Sequence, residues 1–368
     1  MKPWALLMLA LYAAQPAFSQ DIVIGQSVPL SGPDAEIGRD MRDGALAIFN
    51  RANAGNFTVR RVQLVTLDNA GQRERSAANT QQLLEQQGAL ALFGYDSTVH
   101  SQDALPLVTR HNALFFAPFS GAASLRSHAN VFTIRASCKA EAAKIVETKR
   151  MMGATKAVVI HQDDEAGQAL YETVAAVFAE AGLPKPRAVS VTLRGRLDRA
   201  AVDLIAKEAP HYVLVTTPYG VARDFLTTAA DHGLAIPVAA LSYVNPDALA
   251  ESSGTLARGT VVAQVVPSPK TTNLALVPVV KDCADALAAL NGSKLNATSL
   301  ESCIAAKALW MALKKAGPNP TRDSLLQAVG ALGRVDVGGY ALNFSAGNHH
   351  GSQWVDLTML SRGSRFVQ

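Results

Sequence analysis

The chain has 368 residues, a formal net charge of +4, 49% hydrophobic residues but only 6% aromatic and 17% charged residues. That apolar content excludes a disordered or collagen-like chain, and the size excludes a disulfide-framework miniprotein. The small net charge argues against a nucleic-acid partner, and the length against a single core, since cores stop growing near ~250 residues.

The first residues carry Lys2, an apolar run from Ala5 to Ala14, Pro16 and the small-residue triplet Ala17-Phe18-Ser19. This reads as a secretory signal peptide over residues 1–19, which exports the mature chain. The run is shorter than the ~20 residues of a membrane-spanning helix.

From Asp21 onward, β-rich runs alternate with helical patterns. Ile22 to Val28 is a predicted strand bounded by Pro29 and Gly32; Ile37, Met41, Ala45, Ile48, Phe49 and Ala52 then recur at helical spacing up to Gly55. The unit repeats with Gln63 to Leu67 and a helix before Gly88, with Ala89 to Phe93 and a helix before His111, and with Leu114 to Ala117. A second series holds a helix ending at Gly153, then Ala157 to Ile160, a helix before Gly182, Val189 to Val191, Val213 to Thr216 and Val238 to Leu241. Such alternation predicts an α/β fold of doubly wound parallel sheets. About ten strands favour two sheets, divided near Arg135 to Lys139. Residues 274 to 332 then read as three helices and 335 to 361 as short strands, so the chain is expected to return to its first domain.

The three cysteines are Cys138, Cys283 and Cys303. No CxxC occurs, and an exported chain permits disulfides. Cys283 and Cys303 lie on the inner faces of consecutive predicted helices, where they form either a bridge or two buried thiols.

There is no GxSxG elbow, HExxH, Walker A loop or GxGxxG. Ser97 and His100 lack an orienting acid in sequence, and His349-His350 point to opposite faces of a strand, so neither catalysis nor a metal or cofactor is expected. The loops that follow predicted strands are more informative: Pro29-Leu30-Ser31-Gly32-Pro33, Gly94-Tyr95-Asp96-Ser97-Thr98 and Pro118-Phe119-Ser120-Gly121-Ala122. Small residues and hydroxyls beside helix N-termini suit a small carboxylate, although each loop alone also reads as turn and cap chemistry.

These loops, together with Ile24-Gly25-Gln26-Ser27, Ala91-Leu92-Phe93, Arg135-Ala136-Ser137, Gln162-Asp163-Asp164, Gln264-Val265-Val266-Pro267, Leu300-Glu301 and Asp336-Val337-Gly338-Gly339-Tyr340, fall in an ordered series along the chain. The series resembles the periplasmic substrate-binding proteins of ABC transporters, in the leucine/isoleucine/valine-binding branch. The resemblance implies the type I periplasmic binding protein fold, two α/β lobes joined by a three-stranded hinge with a ligand between them. Lobe I is then expected over 20–136 plus 267–334 and lobe II over 137–266 plus 335–368, with crossings near Ile134 to Ser137, Val262 to Val266 and Val335 to Gly339. Carried over by position, Ser97, Thr98, Ser120, Gly121 and Ala122 form the carboxylate side. Tyr95, Tyr219 and Tyr243 offer apolar faces with hydroxyl tips, or else pack as rim. Relatives carry an aromatic where this chain has Ala166, a Tyr where it has Cys138, and a Gly and an aromatic where it has Ser302-Cys303. With no carboxylate in Leu241 to Asn245, the acid for an ammonium falls to Asp163, Asp164 or Glu165; Arg135 either pairs with an anion or braces the hinge. The function implied is a monomeric receptor that hands an amino acid, amide or organic acid to an inner-membrane ABC permease. A sensor for a membrane signalling receptor is the alternative. An exported hydrolase is the third reading, and the absent nucleophile elbow counts against it.

Overall fold

The structure is a computed structural model that describes residues 21–55, 60–192, 197, 199–271, 273–361 and 366–367. The expected signal peptide lies outside the described residues.

The first sheet comprises β1 (Ile22–Val28), β2 (Val62–Asp68), β3 (Ala91–Phe93), β4 (Leu114–Phe116) and β5 (Val131–Phe132). The strand order is β2-β1-β3-β4-β5, with every pair parallel, so Ile24 of β1 stands between Leu64 and Ala91. Helices α1 (Ala35–Ala54), α2 (Arg73–Gln81), α3 (Thr98–Arg110) and the short α4 (Ala123–Arg126) connect these strands.

The second sheet follows α5 (Cys138–Met151) and contains β6 (Ala157–Gln162), β7 (Arg187–Val191), β8 (Tyr212–Val215), β9 (Val238–Ala240) and β10 (Val261–Gln264). Its connecting helices are α6 (Glu165–Glu180), α7 (Arg199–Glu208), α8 (Tyr219–Asp231) and α9 (Pro246–Ser253). Val158 and Ile160 of β6 enter one apolar cluster, whereas Ala157 and Val159 enter another on the opposite face. The unbroken apolar run of β6 is thereby explained: alternate side chains meet helices on both faces.

The chain then returns to the first lobe through α10 (Pro278–Asn291), α11 (Ala297–Ala316) and α12 (Arg322–Gly330). Leu300, Ile304, Leu309 and Leu313 of α11 share a core with Ile24, Phe93 and Phe116. α11 is buried around most of its circumference because it packs against α1, α10 and α12. Gly44 of α1 permits the closest approach, since a Cβ there would stand 2.2 Å from the Ser299 carbonyl oxygen. Cys283 of α10 and Cys303 of α11 are joined by a disulfide, with Cα atoms 6.1 Å apart.

The closing strands depart from expectation. The motif Asp336 to Tyr340 is not a crossing; it is the turn of a hairpin between β11 (Gly333–Asp336) and β12 (Ala341–Phe344). Asp336 Oδ1 accepts the N–H groups of Gly338 (2.8 Å) and Gly339 (2.6 Å), whose φ angles of +109° and +79° suit glycine. Val337, Tyr340, Leu342 and Phe344 pack into the first core, so residues expected in lobe II belong with lobe I. Only beyond Gly351, which donates to the Thr133 carbonyl, does the chain pass to β13 (Asp356–Leu360), antiparallel to β10, and β14 (Phe366–Val367). The full order of the second sheet is β14-β13-β10-β9-β8-β6-β7. Three segments thus join the lobes, and the Tyr340 hydroxyl ties two of them by donating to Val265 O at 2.8 Å and Ile134 O at 3.4 Å.

Candidate ligand-binding cleft

A cavity of about 440 Å³ lies between the lobes. Its walls come largely from the loops at the carboxyl ends of the parallel strands in both sheets, the edge at which open α/β sheets present their ligand groups. Arg135, Gln264, Val265 and Val266 of the crossings complete the lining.

On the first lobe the loop after β3 delivers Asp96, Ser97 and Thr98. Ser97 caps α3: its extended backbone (φ −144°) turns the hydroxyl onto the N–H of His100 at 3.1 Å. Thr98 Oγ1 lies 2.8 Å from Ser120 Oγ. Asp96 is held by His100 Nδ1 at 3.0 Å and by Asn69 Nδ2, which donates at 2.8 Å. Arg73, also on the wall, donates Nε and Nη2 to Asp103.

On the second lobe Asp164 caps α6, accepting from Gly167 N at 2.7 Å and from Gln162 Nε2 at 3.0 Å. A Cβ at position 167 would stand 2.1 Å from the Gln162 carbonyl oxygen, so the tight loop requires glycine there. Asn245 caps α9 by accepting from Asp247 N and Ala248 N. The neighbouring Asp163 and Glu165 are exposed.

Near the crossings the charges are buried. Arg135 donates Nε to Glu301 Oε1 at 2.8 Å and Nη2 to Oε2 at 2.7 Å, with the two side chains 3% and 4% exposed. Its Cζ lies 5.2 Å from the ring centroid of Phe119 and 5.7 Å from that of Tyr243, one ring from each lobe. Burial works against the Arg135 charge, but Glu301 outweighs it and raises the guanidinium pKa. Glu141 accepts from Ser242 N at 2.7 Å and Oγ at 3.1 Å, and burial pushes its carboxyl up. Cys138, the free thiol, meets the Tyr243 hydroxyl at 3.3 Å and is raised by burial to about 11, which makes it an inert packing group.

Of the residues expected at the site, Ser97, Thr98, Asp164 and Tyr243 line the cleft together. Five others stand elsewhere. Tyr95 is wholly buried in the first lobe, edge-on to Phe115 at 5.0 Å with its hydroxyl 3.0 Å from Thr80 Oγ1, because its apolar ring finds a complete core and its hydroxyl a partner there. Ser120 sits one layer behind the wall, engaged with Thr98 and the N–H of Ala122. Gly121 serves the first crossing: its carbonyl accepts from Cys138 N, and a Cβ there would stand 2.7 Å from that nitrogen. Ala122 precedes α4, and Tyr219 packs at the start of α8 against the apolar cluster that includes Val221 and Phe225. Sequence reasoning weighed Arg135 but missed Glu301 as its partner, 166 residues away, and the wall residues Phe119, Gln162 and Thr298.

Two doubly wound lobes, three crossings and a cleft at their joint define a hinged binding protein of the type I periplasmic fold. The chain belongs to the periplasmic binding protein family, whose sequence pattern it matches over residues 21–364. A possible leucine/isoleucine/valine-binding protein from Rhodopirellula baltica SH 1 is 27% identical, covers 96% of this chain and 98% of that one, and superposes with a TM-score of 0.90. A substrate-binding periplasmic protein from Ralstonia solanacearum is 25% identical over 95% of this chain and 100% of that one, with a TM-score of 0.87. The solute-binding protein of an ABC transporter from R. palustris, in complex with benzoate, shares the fold at 16% identity, 95% coverage of each chain and a TM-score of 0.81. No curated protein matches. The family and these neighbours are ligand-binding proteins rather than enzymes.

Proposed function

We propose that the chain is an exported, monomeric receptor that captures a small carboxylate-bearing metabolite between its lobes and delivers it to an inner-membrane ABC permease. The observation that carries this reading is the cavity at the joint, whose walls come from both sheets. A ligand that touches both lobes binds the closed arrangement more tightly than the open one and shifts the population by that difference. Moving it from 1:99 to 99:1 takes about 5.5 kcal/mol of preference, within the roughly 8 kcal/mol that micromolar binding supplies. Helices α3 and α6 direct capped N-termini at the cleft, which favours an anionic group. The benzoate bound by a neighbour of the same fold is such a solute.

A thermal-shift screen over amino acids, amides and organic acids tests the reading, since a ligand at 100 times its Kd stabilises the fold by about 2.7 kcal/mol. The best hit is expected to reduce the radius of gyration in small-angle scattering. A screen without a hit, or a hit that leaves the radius unchanged, rejects the proposal.

A further inference from the structure

Arg135 makes two of its hydrogen bonds to one carboxylate, and its third nitrogen, Nη1, is buried with no hydrogen-bond partner among the described residues. A guanidinium carries five donors in a planar fork, and Glu301 takes the Nε/Nη2 edge. A buried charged donor left unmatched calls for an acceptor. Arg135 lines the cleft, and the rings beside its guanidinium are those of Phe119 and Tyr243. Tyr243 belongs to the second lobe, so one of the two rings beside the guanidinium moves with that lobe.

We propose that Arg135 Nη1 reads a carboxylate oxygen of an organic acid that bears no α-ammonium, after the incoming solute displaces Tyr243. This rests on the receptor reading of the cleft. A guanidinium favours a carboxylate over a neutral carbonyl, because the charge-assisted hydrogen bond is the stronger. The first residues of four helices, Thr98, Glu165, Pro246 and Ala297, line the same cavity and add their N-terminal dipoles. An ammonium is poorly served. Glu301 is committed to Arg135, Asp96 to His100 and Asn69, and Asp164 to the N-terminus of α6. Of the remaining wall acids, Asp34 is half-buried at the start of α1, and Asp163 and Glu165 are exposed.

Titration calorimetry with benzoate, 3-phenylpropionate and hexanoate, their amides, and L-phenylalanine and L-leucine tests the assignment. At least one acid is expected to bind tenfold or more tightly than its amide and than either amino acid. Arg135→Lys keeps a positive charge against Glu301 but lacks Nη1, and it should weaken that acid at least tenfold while leaving its amide within twofold. In case the variant does not fold, the wild-type chain labelled with ¹⁵N-arginine gives a second readout, a shifted Arg135 guanidinium resonance on addition of the acid. Equal affinity of the acid for wild type and variant, an unmoved resonance, or preference for an amino acid overturns the assignment. So does a panel in which no acid binds, and the receptor reading then survives only if the wider metabolite screen finds a closing ligand.

Discussion

The two walls of the cleft are built differently. On the first lobe nearly every polar group is already bonded to a neighbour: Ser97 to α3, Thr98 to Ser120, Asp96 to His100 and Asn69, Arg73 to Asp103, Glu301 to Arg135. Behind that wall stand α10 and α11, locked by the disulfide, and the hairpin whose Tyr340 ties two crossings. The second lobe bonds Asp164, Asn245, Ser242 and Tyr243 in the same way, but it also presents the exposed carboxylates of Asp163 and Glu165. A pre-bonded group loses little freedom when a ligand arrives, whereas the two exposed carboxylates are free to adapt to it. Changes to the first wall and its support should therefore register mainly in stability, and changes to the second mainly in ligand choice.

The sharpest way to break this contrast is Glu301→Ala. It leaves the Arg135 guanidinium buried and uncompensated, and removing one member of such a pair costs about 3–5 kcal/mol. The midpoint of guanidinium unfolding should drop accordingly, and an unchanged midpoint would show that this wall is not braced by the pair. Next in size is the disulfide, which closes a loop with a sequence separation of 20 residues. Replacing Cys283 and Cys303 together by Ser should destabilise the chain by about 3 kcal/mol, with hydrogen exchange rising in α10 and α11 and not in α5 to α9. Uniform exchange across both lobes would mean that the lobes unfold as one unit.

A smaller effect follows from Asp40 on α1. Burial raises its carboxyl from the ordinary 3.8 to about 6, with the hydrogen bond from Asn296 opposing and the charges of Glu36 and Asp43 adding to the rise. A carboxyl raised in the folded state binds more protons there than in the unfolded chain, so stability falls as pH climbs from 3.8 to about 6 and stays reduced above. Asp40→Asn should flatten that slope and stabilise the protein at neutral pH by about 1–2 kcal/mol, measured as unfolding midpoints against pH. An unaltered slope would place the titration elsewhere.

What was legible in the sequence follows the range of the interactions involved. Strand-helix alternation is written locally, so β1 to β4, the two-faced apolar run of β6 and the helical return through α10 to α12 are readable from spacing alone. Ser97 is readable as a cap because an N-cap acts on N–H groups three residues away, whereas Asp164, expected as an acid for an ammonium, caps α6 by the same local rule. Tyr95 misleads because its position after a strand suits a wall equally well, and only Thr80 and Phe115 draw it inward. The third crossing misleads because Asp336-Val337-Gly338-Gly339 is turn chemistry, which fits a hairpin as well as a hinge. The Arg135–Glu301 pair spans 166 residues, and no local pattern announces it.

The two N-caps offer the finest test of the contrast. Ser97 and Asp164 do the same local work on facing helices, one accepting from His100 N and the other from Gly167 N. Replacing either by Ala should cost about 1 kcal/mol of stability. Their effects on affinity should then diverge. Losing the Ser97 hydroxyl loosens the N-terminal turn of α3 and weakens an acidic ligand several-fold. Losing the Asp164 carboxylate removes a negative charge from the second wall, and the same acid should bind more tightly. Asp164→Asn separates the two roles, because Asn caps as well as Asp but carries no charge: the stability loss should vanish while the gain in affinity remains. The gain should also shrink as salt is raised from 0.01 to 0.15 M, where the screening length falls from about 30 to about 8 Å. Weaker binding of the acid to Asp164→Asn would instead assign Asp164 a hydrogen bond to the ligand and place the discriminating contact on the second lobe.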